Sequence, residues 1–150
     1  MLTRGMLPNS KGAVHWSIGS LLKYPSISKG IINGPYKKEA LRPASPWLSN
    51  KTPKTPELQI HSEGENFKIA WEASGAEEVS NWVLYYKYDS SWEYKILSRS
   101  ASEIEIAKLL IEKGKKNPLI AVGVTAISKT GIESDFVEIK IDESIPKYEF

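Results

Sequence analysis

Between residues 57 and 141, apolar and polar side chains alternate with a period of two along most of the chain. Such alternation is typical of antiparallel strands that bury one face and expose the other. With Leu58–Ile60 counted first, turn-forming residues divide the region into about seven short strands, the pattern of a two-sheet sandwich. The inward positions that the alternation predicts are Phe67, Ile69, Trp71, Trp82, Leu84, Tyr86, Trp92, Tyr94, Ile96, Ile104, Ile106, Ile120, Val122, Val124, Ala126, Val137, Ile139 and Ile141.

Two features refine this sandwich. Trp71 and Trp82 are the largest apolar residues of the pattern and are predicted to form the centre of its core. The segment 102–114 departs from the alternation, and its second half resembles a short helix that ends at Gly114. We therefore predict a helical turn between the fifth and sixth strands.

A proline-rich segment precedes the sandwich. Residues 42–56 contain four prolines, and each proline fixes its own φ and biases the preceding residue away from helix. We predict an extended linker here, in which the apolar pair Trp47-Leu48 anchors the linker onto a neighbouring surface. The predicted organisation is an N-terminal segment 1–41, a linker 42–56, a sandwich 57–142 and a tail 143–150.

The charge changes sign at the same place. Residues 1–55 hold nine Lys or Arg and one acid, a charge of +8, whereas residues 56–150 hold eleven Lys or Arg and seventeen acids, a charge of −6. This difference favours a basic arm that lies against an acidic domain. The basic residues are scattered rather than aligned on one helix face, which argues against a nucleic-acid partner.

Composition excludes several classes of protein. There is no Cys and there are only two His, so neither a disulfide framework nor a Cys-ligated metal site is expected, and no cofactor is predicted. No run of 18 apolar residues predicts a membrane span. The first residues lack the apolar stretch of a secretory signal, so none is predicted and the localisation of this chain stays open.

The sandwich region resembles a fibronectin type III module over about 85 residues. The similarity rests on Pro56, Trp71, the Trp82-x-Leu84-x-Tyr86 and Val122-x-Val124-x-Ala126 motifs, and Gly131–Ser134. The family usually has a tyrosine six residues before that alanine, whereas this chain has Ile120. The resemblance implies an all-β, fibronectin type III or immunoglobulin-like antiparallel β-sandwich. The tyrosine hydroxyl that holds the neighbouring corner of the sandwich in that family is missing here, and the insert 107–117 is the candidate to replace it.

The N-terminal segment reads as a strand followed by a helix. Gly12–Gly19 is predicted to be a short buried strand, and residues 25–34 a helix with Pro25 near its start and Gly34 past its end. A strand followed by a helix is the repeating unit of a parallel α/β fold, and the chain contains one such unit.

This segment resembles the end of the β/α barrel in bacterial glycosyl-hydrolase-like family 10 proteins. The similarity covers about 40 residues and rests on Gly12-x-x-His15-Trp16-Ser17, Asn33-Gly34-Pro35-Tyr36 and Ala40-Leu41-x-Pro43-Ala44-x-Pro46-Trp47-Leu48. In those proteins a sandwich module follows the barrel. The resemblance implies a truncated barrel end, with the preceding seven barrel units absent, and an exported or cell-envelope parent. Whether Met1 is the true start or an internal one is left open by the sequence.

The candidate site residues fall into two groups. Active sites of β/α barrels lie at the carboxyl ends of the strands. In an intact barrel the substrate cleft is therefore expected to be lined by His15, Trp16 and Ser17. The alternative is that these side chains only pack against neighbouring residues. Tyr85, Tyr88 and Trp92 are candidates for an outward-facing binding patch on the sandwich, with cross-strand packing as the alternative.

Catalysis by the chain alone is not predicted. Glycosidic cleavage usually needs two carboxylates across the bond, and residues 1–55 contain only Glu39. The acidic pairs of the sandwich, Glu63/Glu65, Glu77/Glu78 and Glu103/Glu105, are expected to be solvated.

Two functions are therefore in contention. The first is a non-catalytic accessory module of a glycoside hydrolase, in which residues 1–50 expose apolar surface for the missing barrel or for a second copy of the chain. The second is a stand-alone sandwich module that binds carbohydrate or protein.

Overall fold

A computed structural model describes residues 17–73, 75 and 78–141 of the chain. The chain forms two compact units, Met1–Pro43 and Ala44–Phe150. The second unit therefore begins inside the proline-rich segment rather than at its end.

The described part of the first unit is helical. It contains α1, Ile18–Lys23, and α2, Pro25–Asn33, with Pro25 in the first turn of α2 and Gly34 at its C-cap, as predicted. The predicted strand 12–19 is wrong for Ile18 and Gly19, which open α1, and its residues 12–16 lie outside the described residues. The reason is the spacing of Ile18, Leu21 and Leu22, which share one face of a helix but would alternate poorly in a strand.

In the residues that the structure describes, the second unit is all-β, with eight antiparallel strands in two sheets, which confirms the predicted fold class. One sheet has the order β1-β2-β5, and the other has the order β4-β3-β7-β6 with β8 also paired to β7. The strands are β1 Glu57–Glu63, β2 Asn66–Glu72, β3 Val79–Tyr88, β4 Ser91–Ser98, β5 Glu103–Ala107, β6 Leu109–Glu112, β7 Lys115–Ser128 and β8 Ile139–Lys140.

Trp71 and Trp82 lie at the centre of the core between the sheets, as predicted. Both are 3% exposed, and their rings meet edge to face with centroids 6.2 Å apart. The Trp82 indole Nε1 donates to the Arg99 carbonyl at 3.1 Å. The Trp71 Nε1 is buried and has no partner among the described residues. The other fully buried members of this core are Ile69, Val79, Leu84, Ile106, Leu119, Val122, Val124 and Ala126.

Strand β4 faces the opposite way from the prediction. Its Trp92, Tyr94 and Ile96 pair with Lys87, Tyr85 and Val83 of β3, and they lie with them on the outer face of the sheet. The prediction failed because Ile96 and the neighbouring Leu97 are both apolar, and it is Leu97 that packs against the core. The outer face is itself covered in part, since Val83 is only 1% exposed.

The predicted helical turn is also wrong. Residues 109–112 form strand β6, which pairs with the start of β7 through a hairpin at Lys113-Gly114. Both turn residues have positive φ, 50° and 81°, the conformation of a two-residue turn that matches the twist of the strands. Gly114 thus closes a hairpin rather than ending a helix.

A β-bulge in β7 changes which residue enters the core. The pairing with β3 is irregular between Lys87 and Tyr88, so Leu119 rather than Ile120 becomes fully buried. The Tyr88 Oη donates to the Ala107 carbonyl at the corner between β5 and β6.

Residues 44–51 are held to the sandwich by hydrogen bonds with Thr130 and by an exposed ion pair between Lys51 and Glu78 rather than by apolar anchors. The Ser45 N–H donates to the Thr130 carbonyl at 2.7 Å, and the Thr130 Oγ1 donates to the Ser49 carbonyl at 3.2 Å. Trp47 and Leu48 are 78% and 72% exposed. The predicted anchoring by Trp47-Leu48 is therefore wrong.

Candidate functional site

Four aromatic side chains gather on the outer face of the sheet that contains β3, β4 and β7. Tyr85 comes from β3, Trp92 and Tyr94 come from β4, and Phe136 comes from the segment between β7 and β8. We call this group the outer aromatic face. Trp92, Tyr94 and Phe136 are 38%, 36% and 45% exposed, so each presents part of its ring to solvent.

Gly123 explains why Phe136 can lie on this face. Gly123 stands opposite Tyr85 in the middle of β7, where a side chain would project onto the outer face. A Cβ at Gly123 would overlap a ring carbon of Phe136 and would lie 2.8 Å from the Val137 carbonyl oxygen. A glycine in a strand interior often marks such a close approach, and here it makes room for the phenyl ring.

The rings form a shallow cleft. The Phe136 ring is nearly perpendicular to that of Trp92 (87°, centroids 5.5 Å apart) and to that of Tyr85 (82°, 5.4 Å). Tyr85, Trp92 and Phe136, together with Glu133 and Ser134, line a cavity of about 450 Å³. The Lys87 ammonium lies over the Trp92 ring, 5.8 Å from its centroid, and adds a positive charge on that face of the ring.

Glu133 is the acceptor group of the cleft. Its Oε1 accepts hydrogen bonds from the Tyr85 hydroxyl at 2.8 Å and from the Thr125 hydroxyl at 2.6 Å. Burial raises the pKa of Tyr85 to about 12, helped by the hydrogen bond to Glu133 and by its negative charge. No described residue donates to Oε2, which leaves that oxygen able to accept a hydrogen bond from a ligand.

The structure brings together two of the three residues of the predicted patch. Tyr85 and Trp92 line the same cleft, whereas Tyr88 lies on the inner side of β3, where it packs against the core. The alternation of β3 separates them, because Tyr85 and Tyr88 are three positions apart and so point to opposite faces.

Sequence reasoning missed Phe136 and Glu133. The available signal was Gly123 in the middle of an otherwise continuous apolar strand, which indicates close approach of another chain segment.

The barrel-end candidates are placed only in part. Ser17 is exposed and immediately precedes α1 with a φ of 71°, while His15 and Trp16 lie outside the described residues. Glu63, Glu65, Glu78, Glu103 and Glu105 are exposed as expected. Within the described ranges, no group of three or more His, Asp or Glu side chains is placed to hold a metal ion, and no helix there is long and apolar enough to span a membrane.

Comparisons with known proteins relate part of the chain to glycoside hydrolases. No family model matches the chain. Over 57 residues, 37% of its length, the chain is 40% identical to glycosyl hydrolase YngK of Bacillus subtilis (strain 168).

Similar solved structures include the Clostridium perfringens spore cortex lytic enzyme SleM, which is 21% identical with a TM-score of 0.44 over 60% of this chain and 28% of that chain. A myokine is 14% identical with a TM-score of 0.46 over 60% and 96%. The pectate lyase PelI of Erwinia chrysanthemi is 15% identical with a TM-score of 0.41 over 56% and 28%. Structural similarity at this level carries no functional argument. What the comparisons establish is a partial sequence similarity to a glycosyl hydrolase, of whose length this chain spans 11%.

Proposed function

We propose that this chain is a non-catalytic accessory module of a glycoside-hydrolase-related protein, and that its outer aromatic face binds carbohydrate. The observation that carries the proposal is the cleft in which two partly exposed rings, Trp92 and Phe136, stand at a right angle beside the Glu133 carboxylate. Its alternative, a stand-alone binding module, would use the same cleft.

The chemistry of the cleft suits a sugar ring. The axial C–H groups of a pyranose pack against an aromatic face, while its hydroxyls need acceptors and donors around the edge. Trp92 offers the flat apolar surface, Glu133 Oε2 offers an acceptor, and the Lys87 ammonium offers donors. A purely apolar patch would lack the two polar partners.

The non-catalytic role is supported by the distribution of carboxylates. Glu133 is the one carboxylate that lines the described cleft, whereas glycosidic cleavage usually uses a pair. The only acid in residues 1–55 is Glu39. We further propose that residues 1–41 correspond to the end of a family 10 barrel, where His15, Trp16 and Ser17 would line the parent's substrate cleft, and that the sandwich is a fibronectin type III-like module.

Exposed apolar side chains in the first unit support the proposal that a partner covers it. Among its described residues, Ile18, Leu22 and Ile32 are 71%, 77% and 61% exposed, which is the apolar exposure that the sequence predicted. Ile18 and Leu22 are four positions apart and so share one face of α1, and apolar exposure on one face of a helix suits a partner that covers it. We propose that a barrel domain, or a second copy of the chain, covers them.

The carbohydrate proposal is tested by depletion of the full chain from solution by insoluble polysaccharides such as cellulose, chitin and peptidoglycan. We expect binding to at least one of them, and we expect Trp92→Ala to weaken it about tenfold, since stacking on one aromatic ring contributes about 1–1.5 kcal/mol. Trp47→Ala is the matched control, because Trp47 is an exposed tryptophan of the same unit outside the cleft. Equal loss in both variants, or no binding by the wild type, contradicts the proposal.

A further inference from the structure

Strand β6 lies at one edge of its sheet and contains three apolar residues in a row. Leu109, Leu110 and Ile111 are 38%, 37% and 63% exposed, and no described strand pairs with the edge of β6 that faces away from β7. We call this the free edge. The edge strands β1, β4 and β5 separate their apolar residues by charged or polar side chains, a common protection against pairing with another chain. Strand β6 lacks this protection before its last residue, Glu112.

The hairpin with β7 determines which main-chain groups of β6 face the free edge. Glu112 closes a two-residue turn, so its N–H and C=O point to β7. The carbonyl of Lys108, four positions earlier, also points to β7, where it accepts a hydrogen bond at 2.9 Å. Because main-chain groups alternate in direction along a strand, those of Leu110 point to β7 as well. The N–H and C=O of Leu109 and Ile111 therefore point to the free edge.

We propose that the free edge of β6 pairs antiparallel with β6 of a second copy of this chain. In the register centred on Leu110, Leu110 lies opposite Leu110 of the partner subunit and Leu109 lies opposite the partner's Ile111. The main-chain groups of Leu109 and Ile111 then form the hydrogen bonds between the copies. Registers centred on either neighbouring residue set Leu110 opposite a charged residue, the partner's Lys108 or the partner's Glu112. Apolar matching thus selects the register centred on Leu110.

Charge complementarity supports a second copy as the occupant. In this register Glu112 of each copy lies opposite Lys108 of the partner subunit, so the contact occurs twice about a two-fold axis. The Lys108 ammonium donates to the Ser62 hydroxyl at 2.6 Å and to the Gly64 carbonyl at 2.5 Å, which are both neutral groups. Within the described ranges, neither Lys108 nor Glu112 forms an ion pair. Each copy therefore presents one charge of each sign, and the two-fold axis matches them.

This pairing has a consequence for ligand binding. Two copies of one strand that pair antiparallel are related by a two-fold axis perpendicular to the sheet, so the two sheets continue into one another. Both outer aromatic faces then lie on the same side of the joined sheet, where one polysaccharide chain can contact both and bind more tightly. The consequence for polysaccharide binding rests on the proposed function, whereas the pairing of β6 does not.

The register is tested with single cysteines at three adjacent positions, since the chain has no Cys of its own. In Leu110→Cys the two Cα atoms lie about 4.5 Å apart across the two-fold axis, which is within disulfide range. In Leu109→Cys and Ile111→Cys they are two positions out of register and about 8 Å apart, beyond the limit of about 7 Å. We expect Leu110→Cys to cross-link at least tenfold faster under mild oxidation. Exposure alone predicts the opposite order, because Ile111 is the most exposed of the three.

The association itself is measured by sedimentation equilibrium. We expect a weak, concentration-dependent dimer of the wild type, since two four-residue strands form a small interface. Ile111→Lys should weaken the association at least tenfold, because it sets a charge opposite the partner's Leu109. Leu48→Lys and Leu22→Lys are the matched controls, since both residues are exposed and apolar but lie outside β6. A urea denaturation of each variant checks that it is folded.

Two results would overturn the proposal. One is cross-linking of Ile111→Cys as fast as that of Leu110→Cys, and the other is an association that Leu22→Lys weakens and Ile111→Lys does not. For polysaccharide binding, the cross-linked Leu110→Cys dimer is compared with its reduced form in the depletion assay, and we expect at least a tenfold gain in affinity. If no polysaccharide depletes either form, the proposed function fails, while selective cross-linking at position 110 still supports the dimer.

Discussion

Substitution of Gly123 by alanine is the sharpest test of how the outer aromatic face is built. The new methyl group would overlap the Phe136 ring and approach the Val137 carbonyl to 2.8 Å. Because a carbonyl of the main chain cannot rotate away like a flexible side chain, either β7 or the segment that contains Phe136 has to move. We therefore expect Phe136 to be displaced from the cleft.

The expected cost follows from what Phe136 loses. Phe136 is 45% exposed, so its displacement gives up about half of the 1.5–3 kcal/mol for full burial of such a side chain, or about 1 kcal/mol. The edge-to-face contacts with Trp92 and Tyr85 add about 0.5–1.5 kcal/mol each. A loss of about 2–4 kcal/mol in the free energy of unfolding results, which lies at the upper end of the range for overpacked sites.

The assay is urea denaturation followed by tryptophan fluorescence, together with polysaccharide depletion. With an m-value of about 2 kcal/mol/M, the midpoint should fall by about 1–2 M. The double variant Gly123→Ala/Phe136→Ala should be less destabilised than the sum of the two single variants, because the ring overlap is gone. Gly30→Ala is the control, since open space surrounds Gly30 in its helix. An unchanged midpoint and unchanged binding in Gly123→Ala would refute this account of the cleft.

Three further predictions address the core, the carboxylate of the cleft and the linker. Trp82→Phe should destabilise the chain by about 1–2 kcal/mol more than Trp71→Phe in chemical denaturation, because only the Trp82 indole loses a hydrogen bond; equal losses would contradict this. The pKa of Tyr85 is raised to about 12 from 10.0, so its stabilising effect is complete below pH 10.0 and is lost as the pH rises towards 12. Glu133→Gln should lower that pKa in a spectroscopic titration of tyrosinate, and no change would show that the carboxylate does not act on the hydroxyl. Lys51→Ala should change the free energy of unfolding by less than about 1 kcal/mol, since its ion pair with Glu78 is exposed, and a larger loss would indicate that the linker depends on it.

The sandwich was predictable because its inner strands obey a simple rule. Phe67, Ile69 and Trp71 alternate on β2 with Lys68, Ala70 and Glu72, and all three pack into the core, Ile69 and Trp71 fully and Phe67 in part. The same rule fails on β4, where both faces contain apolar residues. The turn at Asp89-Ser90 sets the register of the hairpin with β3, and this register rather than the alternation within β4 decides which face turns inward.

Turns and bulges account for the remaining differences between the predicted and the observed strands. Gly114 fits both a helix end and a hairpin, and only the pairing of β6 with β7 selects the hairpin. The bulge that buries Leu119 instead of Ile120 inserts a residue without a clear sequence signal. The cleft was only partly predictable for a similar reason, because Phe136 is far from Trp92 in sequence and reaches it through a close approach that Gly123 permits.

The most direct test of the account is an NMR titration of the full chain with a polysaccharide fragment selected in the depletion experiment. The chain has five tryptophans, and their indole N–H signals are distinct probes of the core, the linker, the N-terminal segment and the cleft. We predict that the Trp92 signal shifts with ligand while those of Trp71 and Trp82 do not. A titration that moves Trp47 or Trp16 and leaves Trp92 unchanged would contradict the assignment of carbohydrate binding to the outer aromatic face.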